Sequence, residues 1–106
     1  MAWVFLGIAG LLEILWAYLL KVSDGLSKPV EGTIAVVAMI ASFWVLSLAM
    51  KELPLGTAYA IWTGIGAVGA FILGIVMLGE AATVLRVGSA ALIVAGIIGL
   101  KLASEA

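Results

Sequence analysis

Four apolar stretches, about Trp3–Leu20, Thr33–Met50, Thr57–Leu78 and Thr83–Ala103, take up most of this chain and leave it few possible folds. Each is close to the ~17–25 residues that a helix needs to cross a bilayer. Inside hydrocarbon every backbone N–H and C=O must be paired within the protein, so a spanning segment is a helix or part of a closed barrel. Barrel strands alternate apolar and polar residues, and these runs show no period of two. The expectation is an all-α membrane protein, a four-transmembrane-helix bundle that forms one domain over residues 1–106. Composition points the same way: 66% of the residues are apolar before the 13 glycines are counted. A soluble domain this small would expose much of that surface and aggregate. A span of about 18 residues reaches only ~27 Å, which favours a thin membrane or local thinning. The first run has no basic stretch before it and no small-residue cleavage pattern at Leu19-Leu20-Lys21, so it reads as a retained helix and not a signal peptide.

Charge and side-chain chemistry remove several classes of function. The net charge of −1 comes from five basic and six acidic residues with no basic stripe, so nucleic acid is not an expected partner. Cysteine and histidine are both absent, which excludes disulfides, thiol chemistry, the usual zinc ligands and the commonest general base. Every acidic group but Glu13 lies at a membrane edge, so no acid–base pair is visible; no enzyme, metal or cofactor is expected. The longest loop is Lys21–Gly32, broken by Gly25, Pro29 and Gly32, while 51–56 and 79–82 only suffice to join antiparallel neighbours. Loops one and three place Lys21, Lys28 and Arg86 on one face, against Lys51, Lys101 and the amino terminus on the other, three each. The positive-inside rule reads that difference, and here it is zero. Such a chain can insert both ways and pair as an antiparallel dimer; the other reading is that features besides loop charge select one side.

Glu13 is the only charged residue well inside a span, ten residues after Trp3 and thus ~15 Å down the helix, near the midplane. An ionisable group there costs about 2.5–3.5 kcal/mol on insertion scales, and no lysine or arginine within the spans can offset it. Burial penalises the charged carboxylate, and a second Glu13 brought near by dimerisation adds like-charge repulsion. The carboxylate must therefore hold a proton or a cation, and competition between the two is all that an exchanger requires. The bland alternative is a neutral glutamic acid bonding a neighbouring helix. Gly10 and Trp16, at i−3 and i+3, share its face: the glycine leaves room, while the indole offers an N–H donor and a ring that can cover a planar cation. By itself such a tryptophan is as compatible with packing. Ser42 lies near the middle of the second span and suits either a site or a bond to its own i−4 carbonyl, whereas Trp44 points to a nearly opposite face. Tyr59 and Trp62 share a face of the third span, as a cation cage or an interfacial belt would. Gly64 and Gly66 can act as a hinge or serve close packing. In the fourth span Gly88, Ala91, Ala95 and Gly99 line one smooth face, a packing stripe suited to assembly, and Lys101 reads as a snorkelling anchor.

The short four-helix chain with Glu13 in its first helix, then Ala41-Ser-Phe-Trp44 and Pro54-Leu-Gly-Thr-Ala-Tyr-Ala-Ile-Trp62 running into Thr-Gly-Ile-Gly66, resembles the small multidrug resistance transporters over essentially its full length. Trp16 and the closing Gly-Ile-Ile-Gly-Leu-Lys101 resemble the guanidinium-exporting branch of that family. The resemblance implies a dual-topology antiparallel homodimer in the bacterial inner membrane that exchanges protons for guanidinium and small substituted guanidinium ions. It implies Glu13 as the shared proton and substrate site, Trp16 and Ser42 bonding and orienting it, Gly10 giving space, and Tyr59 and Trp62 completing the chamber. It further implies Met39 and Phe43 as a membrane-facing portal and a bend at Gly64–Gly66. Two alternatives stand beside it: export of quaternary ammonium or aromatic cationic drugs, and a passive proton or cation channel.

Overall fold

A segment poor in polar side chains gains nothing from lipid unless its own backbone is paired, and the helix does this within each segment. The computed structural model describes residues 1–105, and among them the chain forms four helices and no strand: α1 (Ala2–Val22), α2 (Pro29–Ala49), α3 (Leu55–Leu78) and α4 (Val84–Glu105). All four are long and apolar enough to cross a membrane, which makes this a multi-pass membrane protein. The shortest have 21 residues, or ~32 Å at the usual rise, so they match a hydrocarbon core of ~30 Å.

The largest extension past an apolar run is at the start of α2, which begins at Pro29 and not at Thr33. Proline suits the first helical position because its missing N–H would be unpaired there anyway, and it keeps Lys28 extended at φ −92°, ψ 116°. Glu31 then lies in the first turn, where a negative charge complements the helix dipole. The connection shrinks to a turn organised by Ser23, which is fully buried. Its hydroxyl donates to the Leu20 carbonyl (2.9 Å) and accepts the Leu26 N–H (3.0 Å). Its carbonyl accepts from Ser27 Oγ and Lys28 N–H. The chain reverses through left-handed backbone at Asp24, Gly25 and Leu26. Gly79, at φ 70°, ends α3 in the same left-handed region that favours glycine.

Helix α1 packs along both α2 and α3, α2 touches α3 only slightly, and the backbone of α4 lies alongside α3 alone. Small residues permit the close approaches: Ala9, Ala49 and Ala58 are fully buried in a core completed by Leu6, Leu46, Ile61 and Trp62. The Cα trace measures 44 × 34 × 16 Å. Its thin dimension is about that of two packed helices measured on their Cα atoms, each a cylinder ~4.6 Å across at an axis separation of ~8–10 Å. One copy is thus flattened, with α4 at its margin and no residue of α4 buried among those whose burial is described.

Candidate functional site

Glu13 projects from α1 toward α3, and its carboxyl occupies the space in which Gly66 would carry a Cβ. Any side chain at Gly66 meets Glu13 Oε1, so this glycine seats the carboxyl group. Gly10 behaves otherwise than its spacing suggested. A Cβ there would lie 2.6 Å from Ile65 Cγ2 and 2.9 Å from Ile65 Cβ, so the room that Gly10 provides is filled by α3 and not left for a ligand. Gly64 is buried against α4, where a Cβ would come within 2.9 Å of Ile97 Cδ1 and Cγ1. Helix α3 runs unbroken through both glycines, and close packing accounts for each of them.

Ser42 is 0% and Trp62 6% exposed, and the two are bonded: the Trp62 indole N–H donates to Ser42 Oγ at 3.0 Å. The Ser42 hydroxyl in turn donates to the Ala9 carbonyl of α1 at 2.8 Å. Ser42 therefore bonds neither its own i−4 carbonyl nor, within this chain, Glu13. It fastens α2 to α1 and fixes the indole of α3, and the bond to Glu13 suggested by resemblance is replaced by a bond to Trp62. Two buried side-chain polar atoms make no hydrogen bond among the described residues, Glu13 Oε1 and Trp16 Nε1. One is an acceptor and the other a donor, three residues apart on one helix face. Buried polar groups are nearly always paired, so two orphans side by side mark a place where a ligand or a second chain supplies the partners.

Aromatic rings from all three helices line the approach. Trp16 meets Phe43 edge to face with centroids 6.2 Å apart, Phe43 meets Trp62 in the same manner at 5.7 Å, and Trp62 meets Tyr59 at 5.6 Å. Phe43 is 48% exposed, and Met39, one turn earlier, is half-buried. Trp44 is exposed on the far side of α2, in line with its spacing from Ser42. Gly88, Ala91, Ala95 and Gly99 are all exposed, and α4 instead turns Ile93 and Ile97 toward Gly64. Sequence reasoning missed the seat at Gly66 and the acceptor at Ala9. Each depends on the register between two helices, and no single-helix pattern contains it.

The ensemble is a carboxylate with a buried, unpaired acceptor oxygen, an unpaired indole donor and a wall of π faces, on helices long and apolar enough to cross a membrane. A planar cation with several N–H donors satisfies such a carboxylate in a forked arrangement and lies favourably on indole faces. Comparison with known sequences bears on this chemistry. The profile of one family, described as Small Multidrug Resistance protein, matches residues 1–93. A guanidinium exporter of Yersinia pestis is 62% identical, covering 98% of this chain and 100% of its own. A guanidinium exporter of Escherichia coli K12 is 60% identical over 99% of this chain and all of its own, and one from Salmonella typhimurium LT2 is 59% identical over the same shares.

Proposed function

This chain belongs to the small multidrug resistance family, and from that premise we propose that it exports guanidinium and small substituted guanidinium cations from the bacterial cell across its inner membrane in exchange for protons. The observation that carries the reading is the buried, unpaired acceptor oxygen of Glu13 on the same helix face as the buried, unpaired donor of Trp16. Two such carboxylates, one from each subunit of an antiparallel homodimer, face one chamber and hold either one guanidinium or two protons. Loading the cation expels protons, and protonation expels the cation. In the loaded dimer the Trp16 N–H, which has no partner within one chain, bonds a carboxylate oxygen, while Ser42 acts one step back by holding Trp62 in place. Tyr59 closes the chamber beside Trp62. Phe43 and Met39 form the side that opens to the membrane, where alkyl substituents on a larger cation can project. Gly66, and not Gly10, provides the space that the carboxyl needs.

Two buried polar atoms without partners in one chain support the dimer, in which an oppositely inserted copy completes the chamber. The exposed Gly88, Ala91, Ala95 and Gly99 stripe of α4 is the surface along which the two copies meet. Because the subunits are identical, the inward-open and outward-open states are equivalent, and the gradients alone set the direction of transport.

The test is reconstitution in liposomes with transport currents recorded on addition of guanidinium and of tetramethylammonium. Guanidinium current that disappears in Glu13→Gln is the expected result. A response to tetramethylammonium alone would point to export of quaternary ammonium drugs instead. Current without obligatory proton exchange would indicate a channel, and wild-type currents in Glu13→Gln would remove Glu13 from the mechanism.

A further inference from the structure

Helix α3 seats two carboxyl groups on glycines. Glu13 takes the space of a Cβ at Gly66, and eight residues on, ~12 Å along the helix, Glu80 Oε1 takes the space of a Cβ at Gly74. Gly74 is buried, and Glu80 folds back onto it from just beyond the end of α3. A cavity of about 190 Å³ lies between α1 and α3 at this membrane end. Ala17, Tyr18 and Lys21 of α1 line it, together with Ala70 and Gly74 of α3 and Glu80 itself. Ala17 is one turn from Glu13 on the same helix face, and Ala70 is one turn from Gly66. The cavity therefore runs from the membrane edge to within about one turn, ~6 Å, of the inner carboxyl.

Glu80 already has a guanidinium beside it, one that belongs to the chain. Arg86 Nη2 lies 3.9 Å from Glu80 Oε1, and the Arg86 guanidinium stands over the Phe71 ring at 5.4 Å. A carboxylate and an aromatic face are also what a free guanidinium ion would use. The contact is loose, since charge-assisted bonds of this kind close to ~2.7–2.9 Å. Both side chains are exposed, and exposed pairs are weak. We propose that Glu80 is an outer station for the transported cation, at which an arriving guanidinium displaces that of Arg86 like for like before passing along the α1–α3 cleft to Glu13. The inference rests on the transport reading. Tyr18 adds an aromatic ring to the lining, while Lys21 on the same lining and the displaced Arg86 keep the affinity low. That balance suits a station on a route, where binding must be favourable enough to enter and weak enough to leave. In an antiparallel dimer each side of the membrane carries one such station.

The experiment is current recording in liposomes across a guanidinium titration, giving KM and maximal current for each variant. Both residues are exposed, so neither substitution opens the core. Glu80→Gln should raise KM about two- to fivefold, the range that an exposed ion pair supports. Arg86→Gln frees the same carboxylate and should lower KM by a similar factor, and the double variant should behave as Glu80→Gln alone. A purely structural pair predicts otherwise, because breaking it from either side would shift both variants the same way. Lys28→Gln removes a positive charge from the same membrane face but not from the cavity lining, and should leave KM unchanged. A fall in KM equal to that of Arg86→Gln would show a surface field and no station. Shifts in one direction for both single variants, or a double variant unlike Glu80→Gln, would also overturn the assignment while guanidinium currents keep the transport reading intact. A wild type silent to guanidinium would instead refute that reading, and this inference with it.

Discussion

Replacing Gly66 with alanine separates two roles for the Gly64-Ile-Gly66 stretch. The added methyl falls on the Glu13 carboxyl, which must turn away from its place against α3. Forcing a methyl into a filled space costs about 1–3 kcal/mol. Taken from the guanidinium-bound state, in which the carboxylate is held most tightly, that cost weakens binding by about 5–150-fold. Alanine at Gly64 instead meets Ile97 Cδ1 and Cγ1 at 2.9 Å and Ile93 Cγ2 at 3.4 Å, on α4 and away from Glu13. Its cost should appear in α3–α4 packing and leave guanidinium affinity unchanged. The assay is a guanidinium titration followed by tryptophan fluorescence on both variants, with dimer content checked by gel filtration. Wild-type affinity in Gly66→Ala would refute the seating argument. Equal loss of turnover in both variants, with affinity preserved, would restore the hinge as the main role of the pair.

Other outcomes follow from contacts described above. Ser42→Ala strands the buried Trp62 N–H and cuts the link to Ala9; we expect a loss of about 0.6–1.7 kcal/mol, the range for hydrogen bonds between membrane helices, read as a lower melting temperature together with altered tryptophan emission. Gly25→Ala meets no neighbour but sits at φ +70°, so backbone alone should cost it about 1 kcal/mol in thermal unfolding in detergent. Ala95→Leu, on the exposed stripe of α4, should shift gel filtration from dimer toward monomer at unchanged helical content.

The four helices were legible because hydrocarbon demands long apolar helices, and that demand is written residue by residue. Their ends were less so. Pro29, Val30 and Glu31 read as loop through a proline and a charge, yet both suit a helix's first turn, which a search for apolar runs leaves out. Within the site, Glu13 and Trp16 stood out from a single helix, since an uncompensated carboxylate in lipid is costly wherever its neighbours lie. The partners of Gly10, Ser42 and Gly66 did not. A glycine announces that something comes close, but whether that is Ile65, Glu13 or a ligand depends on how far one helix slides along another. The same holds for Ser42, whose bonds to Ala9 and Trp62 join three helices.

The backbone of α4 packs along α3, with Lys101 reaching Trp3 of α1, while the side chains described around Glu13 come from the first three helices. In the proposed dimer the Glu13 site and the α4 pairing stripe therefore sit on separable stretches of the chain. Substitutions that alter which copy pairs with which can accumulate on the outer side of α4 without disturbing the carboxylate, and substitutions that retune the chamber leave the pairing surface as it was. A duplicated gene could in this way drift from self-pairing to pairing with its sister, one copy committed to each insertion direction, and keep the same cation chemistry throughout.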